Sequence, residues 1–99
     1  MELTTNKNGS GLTVRLSGEL NTLTAPELSD LLKNELGGVQ TLTLDFNECD
    51  YVSSAGLRVL LATFKQMKAV KGSMNLTNVG QSFKYVLQNT GLDAVFDMQ

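Results

Sequence analysis

Two kinds of apolar spacing take turns along these 99 residues, and that alternation limits the fold more than any other feature. In LTVRLSG (12–18), Leu12, Val14 and Leu16 alternate with Thr13, Arg15 and Ser17, the period of a strand with one buried face. QTLTLDF (40–46) repeats the pattern with Leu42, Leu44 and Phe46. Between them, Leu28, Leu31, Leu32 and Leu36 recur at helical spacing, and Gly37-Gly38 closes the run. Thr24-Ala25-Pro26-Glu27 has the form of a capping box with proline in the first turn, so a helix is predicted to start there.

The rest of the chain continues the alternation. Residues 2–7 read as a first strand, joined to 12–18 by the turn-forming Asn8-Gly9-Ser10-Gly11. NECDYV (47–52) reads as loop or strand end. A long helix is predicted from Ser54 to Val70, with Leu57, Leu60, Leu61, Phe64 and Met67 on one face and Lys71-Gly72 as its stop. SMNLT (73–77) is a short strand, and Val79, Phe83, Val86 and Leu87 mark a last helix ended by Gly91. DAVFDM offers a final strand. The order β-β-α-β-α-β-α, with that possible last β, implies right-handed parallel crossovers behind an opening hairpin. The expectation is one α/β domain over residues 1–99, a mixed sheet of four to five strands with helices packed on it.

Composition narrows the chemistry. Apolar residues make up 41% and charged residues 18%, as in a soluble globular domain. The net charge of −2 gives no footprint for nucleic acid or anionic lipid, and Lys65, Lys68 and Lys71 read as a solvated helix face. No apolar run approaches the ~20 residues of a membrane span. MELTTNKNGSGL lacks a signal-peptide pattern, so a cytoplasmic location without membrane contact is expected. Cys49 is the single cysteine and there is no histidine, which removes an internal disulfide and makes a metal site a poor prospect. Asp45, Glu48 and Asp50 lie near a strand end. Without a phosphate loop, dinucleotide fingerprint or nucleophile elbow around them, they read as solvated acids. No catalytic residue and no cofactor are expected.

YVSSAGL (51–57) is the stretch that asks for more. Serine is a good helix N-cap, worth about 1 kcal/mol, but one serine suffices. Gly56 inside the first turn costs about 1 kcal/mol of helix propensity relative to alanine and would leave backbone open to a partner. A phosphate on Ser54 would place about −1.5 to −2 charges at a helix N-terminus, which favours anions, while a partner docked there would have to face a dianion.

At these residues the sequence resembles the STAS family, specifically the stand-alone bacterial anti-sigma factor antagonists. LSGELNTLTAPEL (16–28) is similar to the family's Gly-Glu-Leu-Asp-x-x-Thr-Ala signature. LTLDFNECDYVSSAGLRVLL (42–61) resembles its strand, loop and Ser-Ser-Ala-Gly-Leu helix start, and TGLDAVF (90–96) its closing segment. The resemblance implies that the residue two before the motif glycine is a switch serine, here Ser54, with Ser53 the less favoured candidate. It implies an anti-sigma factor serine kinase as partner, a PP2C-type phosphatase, and release of a sigma factor when the unmodified form binds the kinase. Asn21, Thr22, Ser53, Ser54, Gly56, Leu57 and Arg58 would lie at that contact, and Arg58 could pair with a phosphate four residues back. Two positions depart from the pattern: Asn21 stands where many members carry Asp, and Ser53 where the sporulation type carries Asp. The rival reading is a STAS adaptor subunit of a membrane transport complex, never phosphorylated. A nucleotide or small-anion module is a third. A monomer is expected when free.

Overall fold

The computed structural model describes residues 1–98. The elements are β1 (Glu2–Asn8), β2 (Gly11–Leu20), α1 (Ala25–Glu35), β3 (Thr41–Val52), α2 (Ser54–Ala69), β4 (Ser73–Thr77), α3 (Gln81–Thr90), a 3-10 turn (Leu92–Ala94) and β5 (Asp97–Met98). The strands lie in the order β1-β2-β3-β4-β5. The β1–β2 hairpin is antiparallel, and the remaining pairs are parallel. This is the mixed α/β sheet expected, with the final strand present.

The parallel connections all step the same way across the sheet. Right-handed crossovers therefore put the three helices on one face. Burial follows that geometry. Leu12, Val14, Leu16, Leu42, Leu44, Phe46, Met74 and Leu76 point into the core, where Leu28 and Leu32 of α1, Leu60 and Met67 of α2, and Phe83 and Leu87 of α3 meet them. Phe46 and Phe83 stack tilted at 5.2 Å between ring centroids, tying α3 to β3. The opposite face carries Thr13, Arg15, Thr43, Asp45 and Asn75, none of them fully buried.

Residues 47–52 differ from a simple loop. They extend β3 beyond the end of β4, with two register shifts against β2, between Arg15 and Ser17 and between Ser17 and Glu19. Each shift adds one residue to β3, so its buried positions change interval from 42, 44, 46 to 49 and 52. Period-2 alternation is lost there, which is why the segment does not read as a strand.

The end of α2 also differs in detail. Lys71, not Gly72, takes the left-handed backbone, with φ of 59°. Gly72 is needed for space: a Cβ there would sit 2.6 Å from the Gln40 carbonyl oxygen and 2.7 Å from Met67 Cε.

On the open face, Asp45 Oδ1 accepts from Asn78 Nδ2 and from the Asn47 N–H, both at 2.9 Å, and Arg15 Nε lies 3.5 Å from Oδ2. Asn78 reaches Asp45 from a left-handed conformation, φ 55°, which asparagine tolerates. The Asn78 bond, with help from Asn47 and Arg15, holds the Asp45 carboxyl below its ordinary 3.8, although partial burial works against it. A depressed folded-state pKa stabilises the protein above the unfolded value and loses that contribution as pH falls through the folded one. Asp45→Asn is therefore expected to be less stable than the parent at neutral pH, with the gap closing towards about pH 3 and below. Urea unfolding of both proteins across that range checks this; a gap that persists in acid would mean that packing, not charge, is responsible.

Candidate functional site

Open parallel sheets bind at the carboxyl ends of their strands. Here β2 and β3 end side by side, Leu20 paired with Val52. The Ser53 N–H donates to the Leu20 carbonyl at 2.8 Å. That bond holds the start of α2 against the loop that leaves β2.

Residues 21–24 form that loop, organised by side chains. Asn21 Oδ1 accepts from the Leu23 and Thr24 N–H groups at 3.0 and 3.1 Å. Thr24 Oγ1 accepts from the Asn21 N–H at 2.8 Å and donates to the Glu19 carbonyl at 2.6 Å. The expected capping box is therefore not made: Thr24 occupies the N-cap position without a side-chain cap bond, because its hydroxyl is spent on the loop. The amide oxygen of Asn21 alone serves both N–H groups, so replacing a carboxylate by an amide costs the loop neither bond.

The two serines divide their work. Ser53 is the N-cap of α2, in extended conformation (φ −85°, ψ 175°), and its hydroxyl accepts from the Gly56 N–H at 3.4 Å. Ser54 is the first helical residue and is exposed. Its hydroxyl has no intramolecular hydrogen bond among the described residues. One serine satisfies the helix end, and the other faces solvent.

Of the remaining predicted contact residues, Thr22 and Arg58 are exposed and Asn21 and Leu57 are half-buried, Leu57 packing against the core. Arg58 makes no ion pair among the described residues and borders a cleft between α1 and α2 with Leu32, Lys33 and Val59. Gly56 is corrected. It is buried, and a Cβ there would lie 2.8 Å from Leu20 Cγ and 3.0 Å from both Leu20 Cδ2 and Val52 Cγ1. The glycine makes room for the chain's own strand ends. The sequence reading also passed over Leu23, 84% exposed at the tip of the loop. Its place just before a helix suggests an inward staple contact, and only the structure shows it turned out.

Among the described residues, no group of three histidine, cysteine or acidic side chains is placed to hold a metal ion. Cys49 is buried, and burial pushes its thiol pKa up, so it behaves as a small apolar side chain. Among the described residues, no helix is long and apolar enough to cross a membrane.

The structure is thus a one-faced α/β sheet with an exposed serine as the first residue of its second helix. The STAS domain family matches residues 2–99, and the chain belongs to it. Within it, the chain is similar to anti-sigma factor antagonists. It is 33% identical over 97 residues to BtrV of Bordetella bronchiseptica, assigned as one, covering 97% of this chain and 84% of that protein. It is 28% identical over 92 residues to the anti-sigma-B factor antagonist of Bacillus subtilis, covering 93% and 84%. Its fold is similar to that of the anti-sigma factor antagonist SpoIIAA, solved in its unphosphorylated form (TM-score 0.80, 20% identity, 99% of this chain and 87% of that one). The phosphorylated form of the Bacillus protein superposes equally well (TM-score 0.79, 21% identity, 99% and 91%).

The packing at Gly56 gives a direct test. Alanine there gains about 1 kcal/mol of helix propensity but overpacks a buried site, which costs about 1–3 kcal/mol. Gly56→Ala is expected to melt several degrees lower than the parent by circular dichroism. A higher melting temperature, as for an exposed helical glycine, would contradict the inward packing.

Proposed function

We propose that the protein is an anti-sigma factor antagonist that works by partner switching. Unmodified, it docks residues 21–24 and the start of α2 on a serine kinase that otherwise holds a sigma factor, and the sigma factor is released. Phosphate on Ser54 ends the contact, and a PP2C-type phosphatase restores it. The protein acts as ligand and substrate in the cytoplasm, and is a monomer when free.

The observation that carries this reading is the separation of the two hydroxyls, Ser53 engaged with Gly56 and Ser54 exposed. The names of the relatives support it. SpoIIAA, whose fold this chain shares, is itself known with and without phosphate. The physics agrees. A dianion on Ser54 meets the positive end of the α2 dipole, worth about 0.3–1 kcal/mol, and Arg58 one turn on is free to pair with it. The modified chain keeps its fold, whereas a partner over the same spot would have to desolvate the charge.

Intact mass of the protein from its own cells, followed by mapping of the 50–65 peptide, tests the proposal. A species heavier by about 80 Da, localised to Ser54 and absent from Ser54→Ala, is expected. Phosphate on Ser53 would move the switch by one residue and cost the helix its cap. No phosphate under any growth condition would leave an unmodified adaptor in a transport complex as the better account.

A further inference from the structure

We infer that Leu23 is the apolar anchor by which the unmodified protein engages its kinase; the inference rests on the docking face proposed above. Leu23 is 84% exposed, against 65% for Tyr85, the next most exposed large apolar side chain. A lone exposed leucine is ordinarily unremarked. This one has an inward alternative that the fold declines. It directly precedes the N-cap of α1, where an apolar residue commonly packs on the fourth helical residue. That residue is Leu28, fully buried in the core. Leu23 does not join it.

The hydrogen bonds of the loop say why. Asn21 Oδ1 holds the N–H groups of Leu23 and of Thr24, and Thr24 Oγ1 is anchored to Glu19 and Asn21. The backbone at Leu23 is fixed with its side chain outward. A preordered apolar group loses little conformational entropy on docking, and burying it in a partner's pocket is favourable. The Ser53 N–H bond to the Leu20 carbonyl keeps this loop beside the start of α2. The loop that carries Leu23 and the helix that begins at Ser54 thus leave the same end of the sheet, where one partner can cover both.

The occupant is therefore a serine kinase with an apolar pocket beside its phosphoryl-transfer site. Seating Leu23 there brings Ser54 Oγ to the γ-phosphorus of ATP. The new O–P bond forms as the bond to ADP breaks, and the hydroxyl proton passes to a base of the kinase.

The test follows labelling of Ser54 by γ-labelled ATP in an extract of the source cells, with purified protein added over a range of concentrations and Ser54→Ala as blank. Leu23→Asp is expected to raise the half-saturating concentration about tenfold or more and Leu23→Ala by less, with maximal rate and melting temperature near the parent's. Asn21→Ala, which frees the loop but keeps the leucine, should shift half-saturation the same way. Unchanged half-saturation in Leu23→Asp, or a lower maximal rate alone, would overturn the anchor while leaving the docking reading intact. Absence of Ser54 label in the parent would overturn the docking reading itself, before any variant is compared. A concentration-dependent dimer that Leu23→Asp abolishes without affecting labelling would assign the leucine to a second copy of this chain and overturn the inference.

Discussion

Where β2, β3 and α2 meet, one hydrogen bond and one missing side chain set the geometry of everything proposed above. The Ser53 N–H reaches the Leu20 carbonyl at 2.8 Å. Gly56 lets the first turn of α2 settle onto Leu20 and Val52, at distances where a Cβ would clash. Leu20 ends the strand that feeds the 21–24 loop, and Val52 ends the strand that feeds the helix. A change at this junction would move the loop and the helix start apart together. It also explains why β3 runs past β4: two bulges lengthen it by two residues against β2, so that both strands end level at the Leu20–Val52 pair.

The same junction explains two adjacent serines. A helix that starts immediately after a strand leaves its first N–H groups without intrahelical partners. The Ser53 N–H is taken by Leu20, and the Ser53 hydroxyl takes that of Gly56. Ser54 is left outside this arrangement, on the first helical residue, with nothing structural to do. In the loop opposite, Asn21 and Thr24 are in the reverse position. Both look like surface polar residues available to a partner, but the Asn21 amide oxygen and the Thr24 hydroxyl are committed to the backbone. The exposed groups that remain are Thr22, Leu23, Ser54 and Arg58.

Most of the fold was legible because its elements obey one period each. Leu12, Val14 and Leu16, or Leu28 and Leu32, announce strand and helix without help from the rest of the chain. Residues 47–52 were not, since a bulge replaces period 2 by 3, a spacing that belongs to neither strand nor helix alone. Ser54 was singled out by motif, and the structure adds only that it is exposed on the first helical residue. Gly56 was misjudged because a glycine that opens backbone to a partner and one that opens it to Leu20 look identical in sequence. Thr24 was misread, and Leu23 passed over, for a related reason. Local rules give the hydroxyl to a cap and the leucine to a staple, but Asn21, three residues before the cap, takes control of both. Each miss is a long-range or side-chain-to-backbone contact overriding a local preference.

The magnitudes say where the discrimination of such a switch has to reside. Turning a contact from 99% to 1% occupied takes about 5.5 kcal/mol. The helix dipole and an Arg58 pairing act within the free protein, worth about 1 kcal/mol and about 0.2–0.5 kcal/mol respectively. They stabilise the modified chain but fall well short of that figure. Burying an uncompensated charge at an interface costs several kcal/mol. In the proposed switch that cost has to come from the partner: the nucleotide phosphates and the base that face the unmodified Ser54 hydroxyl would repel a phosphate placed there, with no cation to compensate it. A wet or cationic interface would tolerate the phosphate, and the same modification would then leave the contact standing.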